Sequence, residues 1–152
     1  MENTSIRASL RLVGDEFDVN YVTEFLDRKP DYLRIKGEVI RNDFRAGFTA
    51  WGILIDESES LDTNTHLIPI FDFIEQNLEK LQLLSYKMKA EWQISVCITI
   101  CHERTPSVGL VPKHMKLASA INAVIDFDLY ASQFNIDEMA SLDKCPLCGI
   151  GK

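Results

Sequence analysis

Ile6, Ala8, Leu10 and Leu12 alternate with Arg7, Ser9 and Arg11, a period of two that predicts a strand with one buried and one wet face. Gly14-Asp15 ends it, and Asp18 stands where it can cap a helix whose apolar positions Val19, Val22, Phe25 and Leu26 follow helical spacing. Pro30 forbids continuation, so this helix is read as residues 19–27. Residues 48–55 read FTAWGILI, apolar or small on both parities, which suits an interior strand with Trp51, Ile53 and Ile55 toward the helices. Leu67, Ile70, Phe71, Ile74, Leu78 and Leu81 recur at three and four and predict one helix over 66–84, with Pro69 in its first turn. Trp92, Ile94, Val96, Ile98 and Ile100 then alternate with Gln93, Ser95, Cys97, Thr99 and Cys101, the cleanest amphipathic strand in the chain.

Other segments read less sharply. Residues 32–35 suggest an edge strand, followed by a turn at Lys36-Gly37-Glu38. A helix near 112–121 carries Met115, Ala118 and Ile121. Ile125, Phe127 and Leu129 mark a last strand, opposite Asp126, Asp128 and Tyr130. Asn135 with Glu138 three residues on gives a capping-box start for a small helix through Leu142.

Assembled, these elements predict an α+β fold: a single mixed, largely antiparallel sheet with helices packed on one face. Residues 1–142 are read as one domain and 143–152 as a Cys-x-x-Cys tail. The uncovered face would then show Arg7, Ser9, Arg11, Thr49, Gln93, Ser95, Cys97, Thr99, Cys101, Asp126, Asp128 and Tyr130. If the first and last strong strands are neighbours, Arg7 and Arg11 face Asp126 and Asp128 as cross-strand ion pairs.

Composition narrows the setting. The 152 residues are 46% hydrophobic and 26% charged, which is the balance of a globular protein. A formal charge of −7 argues against nucleic acid as the main partner, because phosphate binding needs a basic footprint. A basic protein would suit this field. The opening MENTSIRASL has no basic stretch followed by an apolar one, and no window approaches the ~20 apolar residues of a membrane span. The expectation is a cytoplasmic protein with no membrane partner.

Four cysteines in that compartment read as thiols or metal ligands. Cys97 and Cys101 would sit roughly 13 Å apart on one strand, too far to bridge. Cys145 and Cys148 have the spacing with which zinc knuckles present two thiolates, although half a tetrahedral site is then missing. Cys101 with His102, or His66 or His114, could complete it only if the tail folds back, and Cys101 and His102 as strand neighbours point to opposite faces; two chains could instead share one ion, or the tail could simply be flexible. Asp15, Glu16 and Asp18 lack the spacing of a calcium loop, and a turn plus a helix cap accounts for them. His66, His102 and His114 are isolated, and no nucleotide-binding glycine motif occurs.

Gly14-Asp15, Phe17-Asp18, Val22-Thr23, Leu26, Pro30, Lys36-Gly37-Glu38, Trp51 and the closing Asp126-Phe127-Asp128-Leu129-Tyr130-Ala131 together resemble a bacterial family of unknown function, numbered 4279. The resemblance spans about residues 6–131 and supplies no catalytic residue. That family commonly has a glycine near the exit of the first helix, where this chain has Asp27-Arg28.

The functional expectation is a non-catalytic protein-binding module, in one concrete form an immunity-type inhibitor of a basic toxin enzyme. Its binding residues would be Arg7, Arg11, Gln93, Ser95, Thr99, Asp126, Asp128 and Tyr130, with no cofactor and with homo-oligomerisation left open. The alternative is a zinc-binding or redox regulator acting through Cys145 and Cys148.

Overall fold

The computed structural model describes residues 3–102 and 104–131. The expectations for a helix from Asn135 to Leu142 and for Cys145 and Cys148 lie outside them.

Among the described residues eleven elements follow in chain order: β1 (Ser5–Gly14), α1 (Val19–Leu26), β2 (Tyr32–Arg34), β3 (Val39–Arg41), β4 (Phe44–Arg45), β5 (Thr49–Glu59), α2 (Asn64–Gln76), α3 (Leu78–Met88), β6 (Glu91–Ile100), α4 (Pro112–Ala120) and β7 (Val124–Ala131). Five strands form one sheet in the order β2-β5-β1-β6-β7, and β3 and β4 form a separate two-stranded ribbon. All neighbours in the large sheet are antiparallel except β6 and β7, whose parallel pairing is connected through α4. This is the expected α+β fold.

The strand with the clearest alternation, β1, is the centre of the sheet. Its Ile6, Ala8, Leu10 and Leu12 are buried with Trp51 and Ile53 of β5, Trp92, Ile94, Val96 and Ile98 of β6, and the apolar stripes of α1 to α4. Leu12 pairs in register with both Trp51 and Trp92, whose rings meet edge to face at 6.5 Å. Each indole finds an acceptor: Trp51 Nε1 donates to Thr23 Oγ1 of α1 (3.0 Å), and Trp92 Nε1 donates to the Leu81 carbonyl of α3 (2.8 Å). The polar tips of the two largest core side chains therefore dock two helices onto one face.

Local signals account for the ends of α1. Asp18 accepts from the backbone N–H groups of Asn20 and Tyr21 at 3.0 and 3.2 Å, satisfying two of the donors that a helix start leaves open. At the other end Asp27 adopts the left-handed conformation (φ 49°, ψ 42°) that glycine would take at no steric cost, and its N–H reaches Glu24 O.

Four expectations are corrected. The single helix over 66–84 is two helices: Asn77 leaves helical geometry at φ −121°, and its N–H and side-chain amide both turn back to the Phe73 carbonyl. Because α2 starts at Asn64, Pro69 lies inside it and not in its first turn, which removes one intrahelical donor. Thr49 does not join the uncovered face; it shares parity with Trp51, is buried, and its Oγ1 accepts from the Lys36 N–H at 3.2 Å. Cys101 is likewise buried just past the end of β6, where its N–H donates to Thr4 Oγ1.

Candidate functional site

With the helices on one side, the other face of the sheet presents rows fixed by register. One row runs Tyr32, Gly52, Arg11, Gln93, Val124; the next runs Leu54, Ser9, Ser95, Asp126. Further along, Arg7, Cys97 and Asp128 align, then Ser5, Thr99 and Tyr130. All eight residues expected to bind, Arg7, Arg11, Gln93, Ser95, Thr99, Asp126, Asp128 and Tyr130, stand on this face.

The centre of the face is a groove of about 380 Å³. Its floor is Ser9, Ser95 and Cys97, and its walls are Tyr32, Leu54, Asp56 and Glu57 on one side and Asp128 and Tyr130 on the other, with Arg7 and Arg11 between them. Gln93, Thr99 and Asp126 lie on the same face but do not line it. A larger depression of about 790 Å³ sits at the rim, between the end of α3 and the start of β6, and is bordered by exposed side chains such as Tyr86.

Two backbone features shape the groove. The β1–β5 register shifts between Ile6 and Ala8: Ile6 faces Ser58 while Ala8 faces Ile55, so Asp56 and Glu57 together oppose Arg7. Such a bulge bends the strand and increases its twist, which lifts both carboxylates toward the groove. The second feature is Gly52, where a Cβ would fall 2.7 Å from Arg11 Cγ and 2.9 Å from the Leu10 carbonyl oxygen. The stem of Arg11 occupies the space that a side chain at 52 would need, and its guanidinium carbon lies 5.7 Å from the centre of the Tyr32 ring. Arg34 lies 5.6 Å from the same ring and 5.2 Å from that of Phe48, so two guanidinium groups bracket Tyr32.

The described residues form no ion pair with the charges of this groove. Among the described residues the ion pairs are Arg28–Asp31, Lys36–Asp15 and Lys113–Glu75, and none involves Arg7, Arg11, Asp56, Glu57 or Asp128. Arg11 Nε is buried without a hydrogen-bond partner among the described residues. The expected Arg7/Arg11 pairs with Asp126/Asp128 do not form, because β6 lies between β1 and β7 and separates their backbones by two strand spacings, ~9.6 Å. Glu57 instead accepts from the Ser5 hydroxyl at the groove's end.

Several groove residues escaped the sequence reading. Tyr32 lies in a segment of weak periodicity, and Asp56 and Glu57 open the polar run DESESLDTNT, which shows no alternation of apolar and polar positions. A Ser–His contact was missed as well: Ser58 Oγ lies 2.9 Å from His66 Nε2 at the distal end of β5, although the histidines are isolated in sequence. Burial holds the His66 imidazole below its ordinary pKa, and its Nδ1 has no partner, so no carboxylate orients the ring as nucleophile activation would need. His114 is buried against Phe71, ring on ring at 4.2 Å; burial lowers its pKa, and the neighbouring Lys113 adds to the shift. Of the residues considered as extra metal ligands, Cys101, His66 and His114 are therefore all packed in the interior. Among the described residues no group of three or more His, Cys, Asp or Glu is placed to hold a metal. No helix among them is long and apolar enough to cross a membrane.

The fold and the face define an α+β domain with one sheet surface covered by helices and the other left open by the described residues. The chain belongs to the family described as Domain of unknown function (DUF4279), whose model matches residues 4–132. No curated protein and no solved structure gave a match.

Proposed function

We propose that the protein is a non-catalytic binding module that takes a polypeptide partner on the open face of its sheet. The observation that carries this reading is the central groove, in which two guanidinium groups and three carboxylates stand without ion-pair partners among the described residues, beside Tyr32, Leu54 and Tyr130. Charges of both signs around an amphipathic floor suit a peptide surface that brings backbone carbonyls, acidic side chains and basic side chains together. The formal charge of −7 favours a basic partner, and an immunity-type inhibitor that caps a basic toxin enzyme in the bacterial cytoplasm is the concrete form of the proposal.

The test is affinity capture from the native host with the wild type and with Arg11→Glu/Asp128→Lys, whose side chains are outside the core. A basic protein held by the wild type and released by the double variant is the expected result. Equal capture by both would overturn the assignment of the face. The Cys145-x-x-Cys148 spacing supports a separate reading in which zinc or a redox change acts through the tail. Deletion of 143–152 separates the two, since a sheet-borne partner is retained and a tail-centred activity is lost.

A further inference from the structure

Residues 28–45 carry six basic and three acidic side chains, a formal +3, which leaves −10 on the rest of a chain whose total is −7. The distal part of this segment is the β3–β4 ribbon, closed by Asn42 and Asp43, both at positive φ (47° and 62°). The ribbon is tied back where Gly37 N–H donates to Ala46 O, Ala46 N–H to Glu38 O and Arg45 Nη1 to Gly37 O. Every residue of both strands is exposed, with Val39 at 57%, Ile40 at 42% and Phe44 at 70%. A lone two-stranded ribbon is marginal in water, and three large apolar side chains beside Arg41 and Arg45 make a surface that an acidic, partly apolar one would cover.

The chain itself carries the acidic part of that complement. Asp56, Glu57 and Glu59 are exposed at the far end of β5, and β2 pairs only with residues 50–52. The Asp31 carboxylate accepts from the Leu54 N–H, and no strand among the described residues pairs with 55–59 on that side. The ribbon, however, springs from the opposite end of β5, where Lys36 N–H meets Thr49 Oγ1. Asp56 to Glu59 lie roughly 23–33 Å along β5 from Thr49, whereas the three-residue strand β3 spans only about 10 Å. A chain's own ribbon falls short of its own acidic end, but a second copy lying antiparallel along this edge brings both ribbons to both acidic ends about one twofold axis.

We infer that two copies of this chain associate antiparallel along the β2–β5 edge, the basic, apolar ribbon of each resting on Asp56, Glu57 and Glu59 of the other. This contact shares Asp56 and Glu57 with the groove of the open face but rests on the ribbon and the β2–β5 edge, and Phe44→Asp, which lies outside the groove, reports on it alone. Sedimentation velocity at about 50 mM salt is expected to give twice the 17.3 kDa chain mass, with the dimer weakened at about 500 mM. Phe44→Asp is expected to raise the dissociation constant at least ~10-fold. Arg41→Glu/Arg45→Glu and Asp56→Lys/Glu57→Lys should each be monomeric alone, yet form a heterodimer when mixed, because every ribbon then meets an end of opposite sign. Intrinsic fluorescence of the buried Trp51 and Trp92 verifies that each variant is folded. A 17.3 kDa species persisting to about 100 µM would overturn the proposal, as would a dimer indifferent to these changes or a mixture that stays monomeric.

Discussion

Gly52→Ala places a methyl group where the structure has room for none. The new Cβ would lie 2.7 Å from Arg11 Cγ and 2.9 Å from the Leu10 carbonyl oxygen, both well inside van der Waals contact. Arg11 can swing its stem away, but the Leu10 carbonyl belongs to the central strand and is fixed by its pairing with β5 and β6. Overpacking of this kind costs about 1–3 kcal/mol. Against it, alanine restricts the unfolded chain more than glycine does, worth about 0.4–1 kcal/mol where the backbone is compatible. The expected net loss is about 1–2 kcal/mol, or roughly 2–8 °C in Tm for a chain of this size. Urea unfolding followed by tryptophan emission reads it directly, because Trp51 and Trp92 are both fully buried. Gly47→Ala is the control, since a Cβ there meets nothing within 4 Å and the change should stay within about 0.5 kcal/mol. If the two variants are equally stable, the close approach at Gly52 is not what seats Arg11 in the groove.

Two further predictions concern stability. Asp18→Ala removes the acceptor for the Asn20 and Tyr21 N–H groups and should cost about 1 kcal/mol in urea unfolding, whereas Asp18→Asn should recover most of it; equal losses would point to a cause other than the cap. His66 and His114 have folded pKa values lowered chiefly by burial, so the unfolded chain binds these protons more tightly. The stability their neutral rings contribute is therefore complete above the unfolded value of about 6.5 and lost progressively as pH falls from there through the lowered folded values. The urea midpoint should drop as pH falls below about 6.5, and His66→Gln/His114→Gln should flatten that drop; an unchanged slope would contradict the burial argument.

The elements most legible in the sequence are those whose faces differ most. In β1 and β6 strict alternation follows from one buried and one open face, and in α1 Asp18 and the Val19, Val22 and Leu26 stripe mark start and orientation. Continuous apolar spacing across Asn77 conceals the break between α2 and α3, because both helices bury their stripes against the same sheet. The β3–β4 ribbon is illegible for a different reason: it buries nothing, so no periodicity reports it. For the open face, alternation was enough to name Arg7, Arg11, Ser95, Asp128 and Tyr130 as residues of one surface. It could not supply strand order, and hence the expected Arg–Asp pairs are separated by β6 while Asp56 and Glu57 became the acidic neighbours of Arg7.

Mapping of partner-induced amide chemical-shift changes on the 17.3 kDa chain locates the binding face residue by residue. The expected result is that changes concentrate at Arg7, Ser9 and Arg11 of β1, Ser95 and Cys97 of β6, and Asp128 and Tyr130 of β7, with α2, α3 and α4 undisturbed. A footprint on the helical layer that leaves those strand positions unmoved would contradict it.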